Sequence, residues 1–250
     1  MHITFNFQGK TCAANLSNPI DLTIPLRHGE ENPNCFWAPF PDFEPVRAGE
    51  FVGSTAEGGV VNFFNIRLNP HGNGTHTECV GHIARERYAV RTCLREHHFM
   101  AKLISLFPQR LDNGDRVLLK KQFEEQVHTS DEVRALIVRT LPNDALKMRQ
   151  NWSGSNPPYL HDEAVKYLVS CGIEHLILDL PSVDREEDGG LLLGHRAFWQ
   201  YPEAIRTHCS ITEMAFIPNE VKDGVYLLNL QTTAIDLDAS PSKVLIYPII

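Results

Sequence analysis

His71-Gly72-Asn73-Gly74-Thr75-His76-Thr77-Glu78-Cys79-Val80-Gly81-His82 sets three imidazoles and one carboxylate in a single short stretch, between glycines that force an irregular backbone and leave little steric cover. Imidazole nitrogen and carboxylate oxygen are the protein donors preferred by zinc and its harder divalent neighbours, and a further histidine can move protons without holding the ion. On an extended segment His76 and Glu78 point the same way and His82 shares their parity, so the three can converge on one ion. Thr75 and the flanking glycines suit a turn that keeps the strand end rigid, which a metal site requires. The competing reading is a polar loop whose histidines cap backbone groups or sit in solvent.

Outward from this stretch, residues 60–68 are rich in Val, Phe and Ile and predict a strand that delivers the chain into the histidine loop. Further strands are predicted at 116–119, 135–140, 176–180, 225–230 and 244–249, short and several nearly continuous in apolar character, as expected of strands covered on both faces. Pro19, Pro25, Pro33, Pro39, Pro41 and Pro45 predict an extended strand at 20–26 followed by a long irregular loop of the kind that often serves as a lid. Residues 161–171 place Ala164, Tyr167, Leu168 and Cys171 at helical spacing, begin with Asp162 and Glu163 and stop at Gly172. That helix feeds the strand ending at Asp179, an α-to-β unit in a mixed α/β (α+β) architecture, with residues 1–250 expected to form a single domain.

The chain has a formal net charge of -8, and no run of lysines and arginines offers the cationic face that nucleic acid or an anionic membrane would need. None of the six cysteines forms a C-x-x-C pair, and a chain of 250 residues with 42% apolar content can bury a core without disulfides. A reducing cytoplasm is therefore the expected location. The start, Met1-His2-Ile3-Thr4-Phe5-Asn6, has no basic region followed by an apolar run, and no segment approaches the ~20 apolar residues of a membrane span.

Additional ligands would have to come from downstream. Ser182-Val183-Asp184 follows a predicted buried strand, Gly194-His195-Arg196 comes after a glycine-bearing insertion, and Glu213 stands among Ile211, Met214, Ala215 and Phe216. A carboxylate in such surroundings is costly to bury unless it is paired or coordinated; a salt bridge to an arginine such as Arg196 is the structural alternative. His97-His98 lies in a charged stretch and reads as a solvated helix face or turn. His2, His28, His128, His161, His175 and His208 lack ligand-like neighbours. A thiol hydrolase built on Cys79 is disfavoured, because Cys79 points away from the parity of its neighbours and no G-x-S-x-G elbow exists.

These residues resemble the cyclase family of metal-dependent hydrolases, which includes the bacterial kynurenine formamidases. In its signature H-x-G-T-H-x-D-x-P-x-H, Gly74-Thr75-His76 matches G-T-H, Glu78 stands at the aspartate, Val80 at the proline and His82 at the last histidine. Asp21-Leu22-Thr23-Ile24-Pro25-Leu26 is similar to the opening D-[IL]-[ST]-x-P-L strand, Asp179 to Asp184 to the D-x-x-S-x-D turn, and Ser240-Pro241-Ser242-Lys243 to the S-P-x-R segment. His195 and Glu213 fall where the family places its distal metal ligands. The first signature histidine should stand at position 72, which is glycine here; His71 is one residue early, and a bulge permitted by Gly72 and Gly74 would be needed to bring it to the ion.

The resemblance implies a barrel-like mixed β core with peripheral helices, a homodimer or higher homo-oligomer, and a small-molecule substrate. It implies a divalent metal, zinc or manganese, held by His76, Glu78, His195 and Glu213 with His71 as a fifth ligand. The activity implied is amide hydrolysis by a metal-activated water, most directly that of an arylformamidase acting on N-formylkynurenine in tryptophan catabolism. His82 would shuttle the proton to the leaving amine, and Phe36 and Trp37 would supply an aromatic wall for a planar substrate. The alternatives are hydrolysis of another acyl or cyclic amide, and a non-catalytic relative with a degenerate metal site, which the glycine at 72 motivates.

Overall fold

In the computed structural model, which describes residues 1–250, seven strands form the centre: β1 (His76–Glu78), β2 (His98–Leu106), β3 (Ala135–Thr140), β4 (His175–Leu178), β5 (Ser210–Glu213), β6 (Gly224–Thr232) and β7 (Ala239–Pro248). They hydrogen-bond in the order β6-β2-β3-β4-β5-β1-β7, and β7 pairs again with β6, which closes a mixed barrel. Strands β2 to β5 run parallel, and the other pairings are antiparallel. Closure leaves no exposed edge in the ring.

Alternation along the strands sorts the side chains into two cores. Leu103, Ile137, Ile177, Leu228, Leu230, Val244 and Ile246 meet inside the ring together with Leu22. The intervening residues, Ile104, Leu106, Leu136, Val138, Leu176 and Leu178, face outward beneath helices α1 (Lys120–Glu124), α2 (Asp162–Ser170) and α3 (Leu193–Trp199), which contribute Phe123, Leu168, Phe198 and Trp199. Each such side chain, fully removed from water, stabilises the fold by ~1.5–3 kcal/mol. With both faces apolar, β3 shows no polar alternation at all. The outer face of β6 and β7 is covered by the N-terminal hairpin His2–Phe7/Lys10–Asn15, through Ala14, Leu227 and Tyr247.

Helix α2 is stopped as its sequence predicts. Gly172 takes a φ of 85°, and the N–H of Ile173 reaches back to Leu168 O at 3.1 Å. Two predicted strands are corrected. The 20–26 strand shortens to Ile20–Asp21, because the N–H of Ile24 is taken by the Thr75 hydroxyl and Pro25 has none to give. The 60–68 strand shortens to Phe64–Arg67 and never enters the barrel; it pairs only with Asp42–Pro45 in a ribbon that projects from it, exposed along its whole length. Conversely, β2 and β5 were not predicted. The charged Arg95-Glu96 pair and His97-His98 suggest a turn, but β2 begins at His98 itself, and His97 bonds to Leu230 through its carbonyl and its ring.

Candidate metal centre

The C-terminal ends of the parallel strands carry the cluster. Glu213 is the last residue of β5, and the turn after β4 supplies Ser182 and Asp184. Antiparallel to β5, β1 places His76 opposite Glu213. The crossing is pinned by Thr75, whose hydroxyl donates to Met214 O at 2.6 Å and accepts from the N–H of Ile24 at 2.9 Å.

His76 is fully buried, and its Nδ1 lies 2.9 Å from Gly74 O. A carbonyl only accepts, so Nδ1 carries a proton, and Nε2 is the ring atom left to act as a metal donor. That atom lies 3.5 Å from Glu213 Oε2, is sealed from solvent and has no hydrogen-bond partner. Glu78 turns its two oxygens to opposite sides. Oε1 lies 3.1 Å from His195 Nε2, while Oε2 faces His71 Nδ1 at 3.1 Å and His82 Nδ1 at 3.7 Å without hydrogen-bond geometry to either, leaving it buried and unpartnered. Glu213 Oε1 accepts from the N–H of Val183 at 2.9 Å.

His195 is aimed by Asp184. The carboxylate accepts from the N–H of Gly194 at 2.6 Å, from the N–H of His195 at 3.1 Å and from His195 Nδ1 at 2.6 Å, so Nε2 is turned toward Glu78 and Glu213. A Cβ at 194 would stand 2.8 Å from Asp184 Oδ1 and would push the carboxylate off these N–H groups. Burial raises the cost of charge on Asp184, but the His195 ring and the helix N–H groups hold its pKa below the usual carboxylate range. Burial likewise opposes ionisation of Glu78, yet the surrounding imidazoles hold its pKa well below normal.

His71 is in the cluster. Its Nε2 lies 2.8 Å from Asp238 Oδ2, and although burial opposes protonation, the hydrogen bond to Asp238 and the proximity of Glu78 raise its pKa to about 10. A turn brings it there: the N–H of Gly72 bonds to Asn69 O at 3.2 Å, and Asn73 Oδ1 accepts from the N–H of Asn69 at 2.7 Å. No side chain can replace the glycine at 72, because its Cβ would lie 2.2 Å from Ala38 Cβ.

These residues fit a divalent ion. Donor atoms of His71, His76 and Glu78 lie within 4.8 Å of one another, as do those of Glu78, His82 and His195. Ligands ~2.0–2.1 Å from a tetrahedral ion stand a little over 3 Å apart, close to the separations found here. An orphaned imidazole nitrogen and an orphaned carboxylate oxygen, both buried, are the groups that a cation satisfies. The ion pair with Arg196 is not formed; Arg196 bonds instead to Leu191 O.

A cavity of about 170 Å³ opens on the cluster, lined by Phe36, His71, His82, Arg185, His195 and Glu213 among others. Phe36 and Trp37 both adopt left-handed backbone angles, φ 55° and 52°, held by a 2.9 Å bond from the Trp37 N–H to Ser153 Oγ. Only Phe36 reaches the cavity. Trp37 points to solvent, 65% exposed, and is no wall in this structure. The sequence offers the Ser182-Val183-Asp184 turn as a source of further ligands, and the structure uses Asp184 to aim His195; Asp238 is not singled out there. The D-x-x-S-x-D turn signalled Asp184; nothing near Asp238 signals a site residue.

The Cyclase family model matches residues 20–185, two-thirds of the chain, and the matched span includes the histidine stretch and the Asp184 turn. The chain belongs to the cyclase family. Its match ends before His195, Glu213 and Asp238, which join the cluster by geometry alone. Cyclase-family architecture extends over the whole barrel. Isatin hydrolase A from Ralstonia solanacearum superposes with a TM-score of 0.67 at 15% identity, covering 93% of this chain and 92% of that one. Isatin hydrolase A from Labrenzia aggregata gives 0.64 at 14% identity, with 92% and 93% covered. A predicted metal-dependent hydrolase from Bacillus stearothermophilus gives 0.62 at 16%, with 92% and 98% covered. No curated protein matches the chain. No helix is long and apolar enough to cross a membrane.

Proposed function

We propose that this cyclase-family protein is a metal-dependent amidohydrolase that cleaves an amide on an aromatic amine, with N-formylkynurenine as the first substrate to test and isatin, the cyclic counterpart, as the second. The observation that carries the reading is the pair of buried, unpartnered donors, His76 Nε2 and Glu78 Oε2, within a ring of imidazoles and carboxylates. N-formylkynurenine and isatin share an acyl group on an aniline-type nitrogen, and the isatin hydrolases named above share this fold.

His71, His76, Glu78, His195 and Glu213 would hold the ion, zinc or manganese. A divalent ion supplies Lewis acidity toward an acyl oxygen and lowers the pKa of water toward ~7. Asp184 keeps His195 in one tautomer and orientation. His82 is partly open at the cavity, with Nδ1 3.6 Å from Asp238 Oδ2 and 3.7 Å from Glu78 Oε2, where it can hold a proton for the departing amine. Phe36 offers an apolar surface to the ring of the substrate.

The test is hydrolysis of both amides by protein loaded with zinc or manganese, alongside metal analysis. His76→Ala should abolish turnover of whichever amide is cleaved, and His97→Ala should not. Less than about a tenth of an equivalent of metal after loading, with neither amide cleaved, would identify a non-catalytic relative instead. The same family reading carries a homodimer, which the exposed ribbon favours: Val60, Val61, Phe63, Phe64 and Ile66 are large apolar side chains left exposed there.

A further inference from the structure

Cys79 and Cys93 pack against each other beside Val90, both buried, on the side of β1 away from the metal cluster. Cys79 directly follows Glu78 but has the opposite parity, so its thiol leaves the cluster and enters the small buried group it forms with Val90 and Cys93. Cys93 lies at the end of the short helical turn Val90–Cys93 and lines a second cavity of about 460 Å³, together with Arg95, Glu96, Phe99, Arg134 and His175. His175 opens β4 and Phe99 lies at the start of β2, which puts this cavity at the end of the barrel opposite the metal cluster.

We propose that Cys79 and Cys93 are a peroxide-sensitive dithiol, in which Cys93 is the sulfur attacked through this basal cavity and Cys79 the one that resolves it. The Cys93 thiolate would attack one oxygen of hydrogen peroxide, forming a sulfenic acid and releasing hydroxide. The Cys79 sulfur would then attack the Cys93 sulfur, forming the disulfide as water leaves with the thiol proton. In sum, two thiols and one peroxide become one disulfide and two waters. The two sulfurs are suited to different parts. Cys93 lines the cavity and is 8% exposed, open to a small oxidant, whereas Cys79 is fully buried and is not among the residues that line it. The bond would close the loop between residues 79 and 93, which carries His82, so oxidation would tether the proton-transfer residue to the strand bearing Glu78.

The test uses the full chain, reduced and then exposed to equimolar hydrogen peroxide. The expected result is loss of two of its six thiols and a non-reduced tryptic peptide pair joined through Cys79 and Cys93, lighter by two hydrogens. Trypsin acting at the exposed Arg85 or Arg87 of the oxidised protein should leave two halves that separate on a denaturing gel only after dithiothreitol. Cys93→Ser should lose the cross-link and Cys12→Ser should keep it, while Cys79→Ser should accumulate a dimedone-reactive sulfenic acid at Cys93. A cross-link that uses another cysteine, or dimedone labelling that spares Cys93 in Cys79→Ser, overturns the proposal. None of these readouts depends on hydrolysis, so failure here leaves the proposed function standing, and failure of that function leaves this standing.

Discussion

Replacing Asp184 with asparagine removes one charge and almost no volume, and its effect can be worked out from the contacts of the carboxylate. One oxygen accepts from the N–H of Gly194 at 2.6 Å; the other accepts from His195 Nδ1 at 2.6 Å and from the N–H of His195 at 3.1 Å. An amide has one acceptor oxygen, so its NH₂ must face either the start of α3 or the imidazole, donor against donor. At a buried position this costs ~1–3 kcal/mol of folding stability. If the amide oxygen stays with the helix, His195 loses the acceptor that fixes its tautomer, and metal affinity should fall ~10–100-fold. That fall corresponds to ~1.4–2.7 kcal/mol. Zinc titration against a competing chelator measures the affinity, and urea unfolding of the metal-free protein measures the stability. Turnover at saturating metal should change less than affinity, because Asp184 acts through His195 and not on substrate. Zinc affinity within about threefold of wild type, with the predicted loss of stability, would mean that Asp184 only anchors α3 and would refute its role in aiming His195.

Gly72→Ala forces a Cβ to within 2.2 Å of Ala38 Cβ and should cost ~1–3 kcal/mol in urea unfolding; for the same reason Gly72→His should fail to restore metal binding to His71→Ala, and rescue by that histidine would refute the packing argument. Burial and the nearby Arg134 depress the pKa of His175 to about 3, so the unfolded ring, titrating near ~6.5, takes up a proton before the folded one does. The corresponding stability is fully present above about pH 6.5 and is lost as pH falls toward about 3, by ~2 kcal/mol already at pH 5; His175→Asn should remove that part of the slope between pH 7.5 and 5, and an unchanged slope would contradict it. If the exposed ribbon is the interface of the proposed dimer, Phe64→Ser with Ile66→Ser should give a monomer in light scattering, with the barrel's circular dichroism intact; a monomeric wild type would remove the basis for the ribbon as an interface.

What the sequence made legible was set by how local its causes are. Helix α2 could be read because its apolar spacing, acidic first turn and Gly172 stop all lie within a dozen residues. Strand β3 could be read because an uninterrupted Ala-Leu-Ile-Val run has few other uses. The barrel's closure, by contrast, depends on β6 and β7 meeting from opposite ends of the ring, and no local pattern encodes it. The 60–68 segment shows the opposite failure. Its β-branched and aromatic residues satisfy strand propensity, but propensity does not say whether the buried surface belongs to this chain's core or lies outside it. Strand β2 was concealed because the residues that lead into it, Arg95-Glu96-His97, are polar and charged, although Phe99, Ala101 and Leu103 then alternate into the barrel.

The ligand stretch was legible wherever parity decides direction, as for His76 and Glu78, and illegible where a distant segment decides it. Position 72 is the clearest case. The chain between Cys35 and Ala38 lies directly on Gly72: the N–H of Cys35 bonds to Gly72 O at 3.0 Å, and the Cys35 thiol donates to His71 O at 3.2 Å. That contact leaves no room for a side chain at 72, so the family's histidine cannot stand there. The 35–38 segment that makes this contact also carries Phe36 to the cavity in its left-handed conformation, and the residue preceding Gly72, His71, lies over Glu78 with Asp238 behind it as the acceptor that sets the ring. The glycine at 72, the displaced histidine and the aromatic at the cavity are therefore one packing change, and a variant that altered the 35–38 segment should disturb all three together.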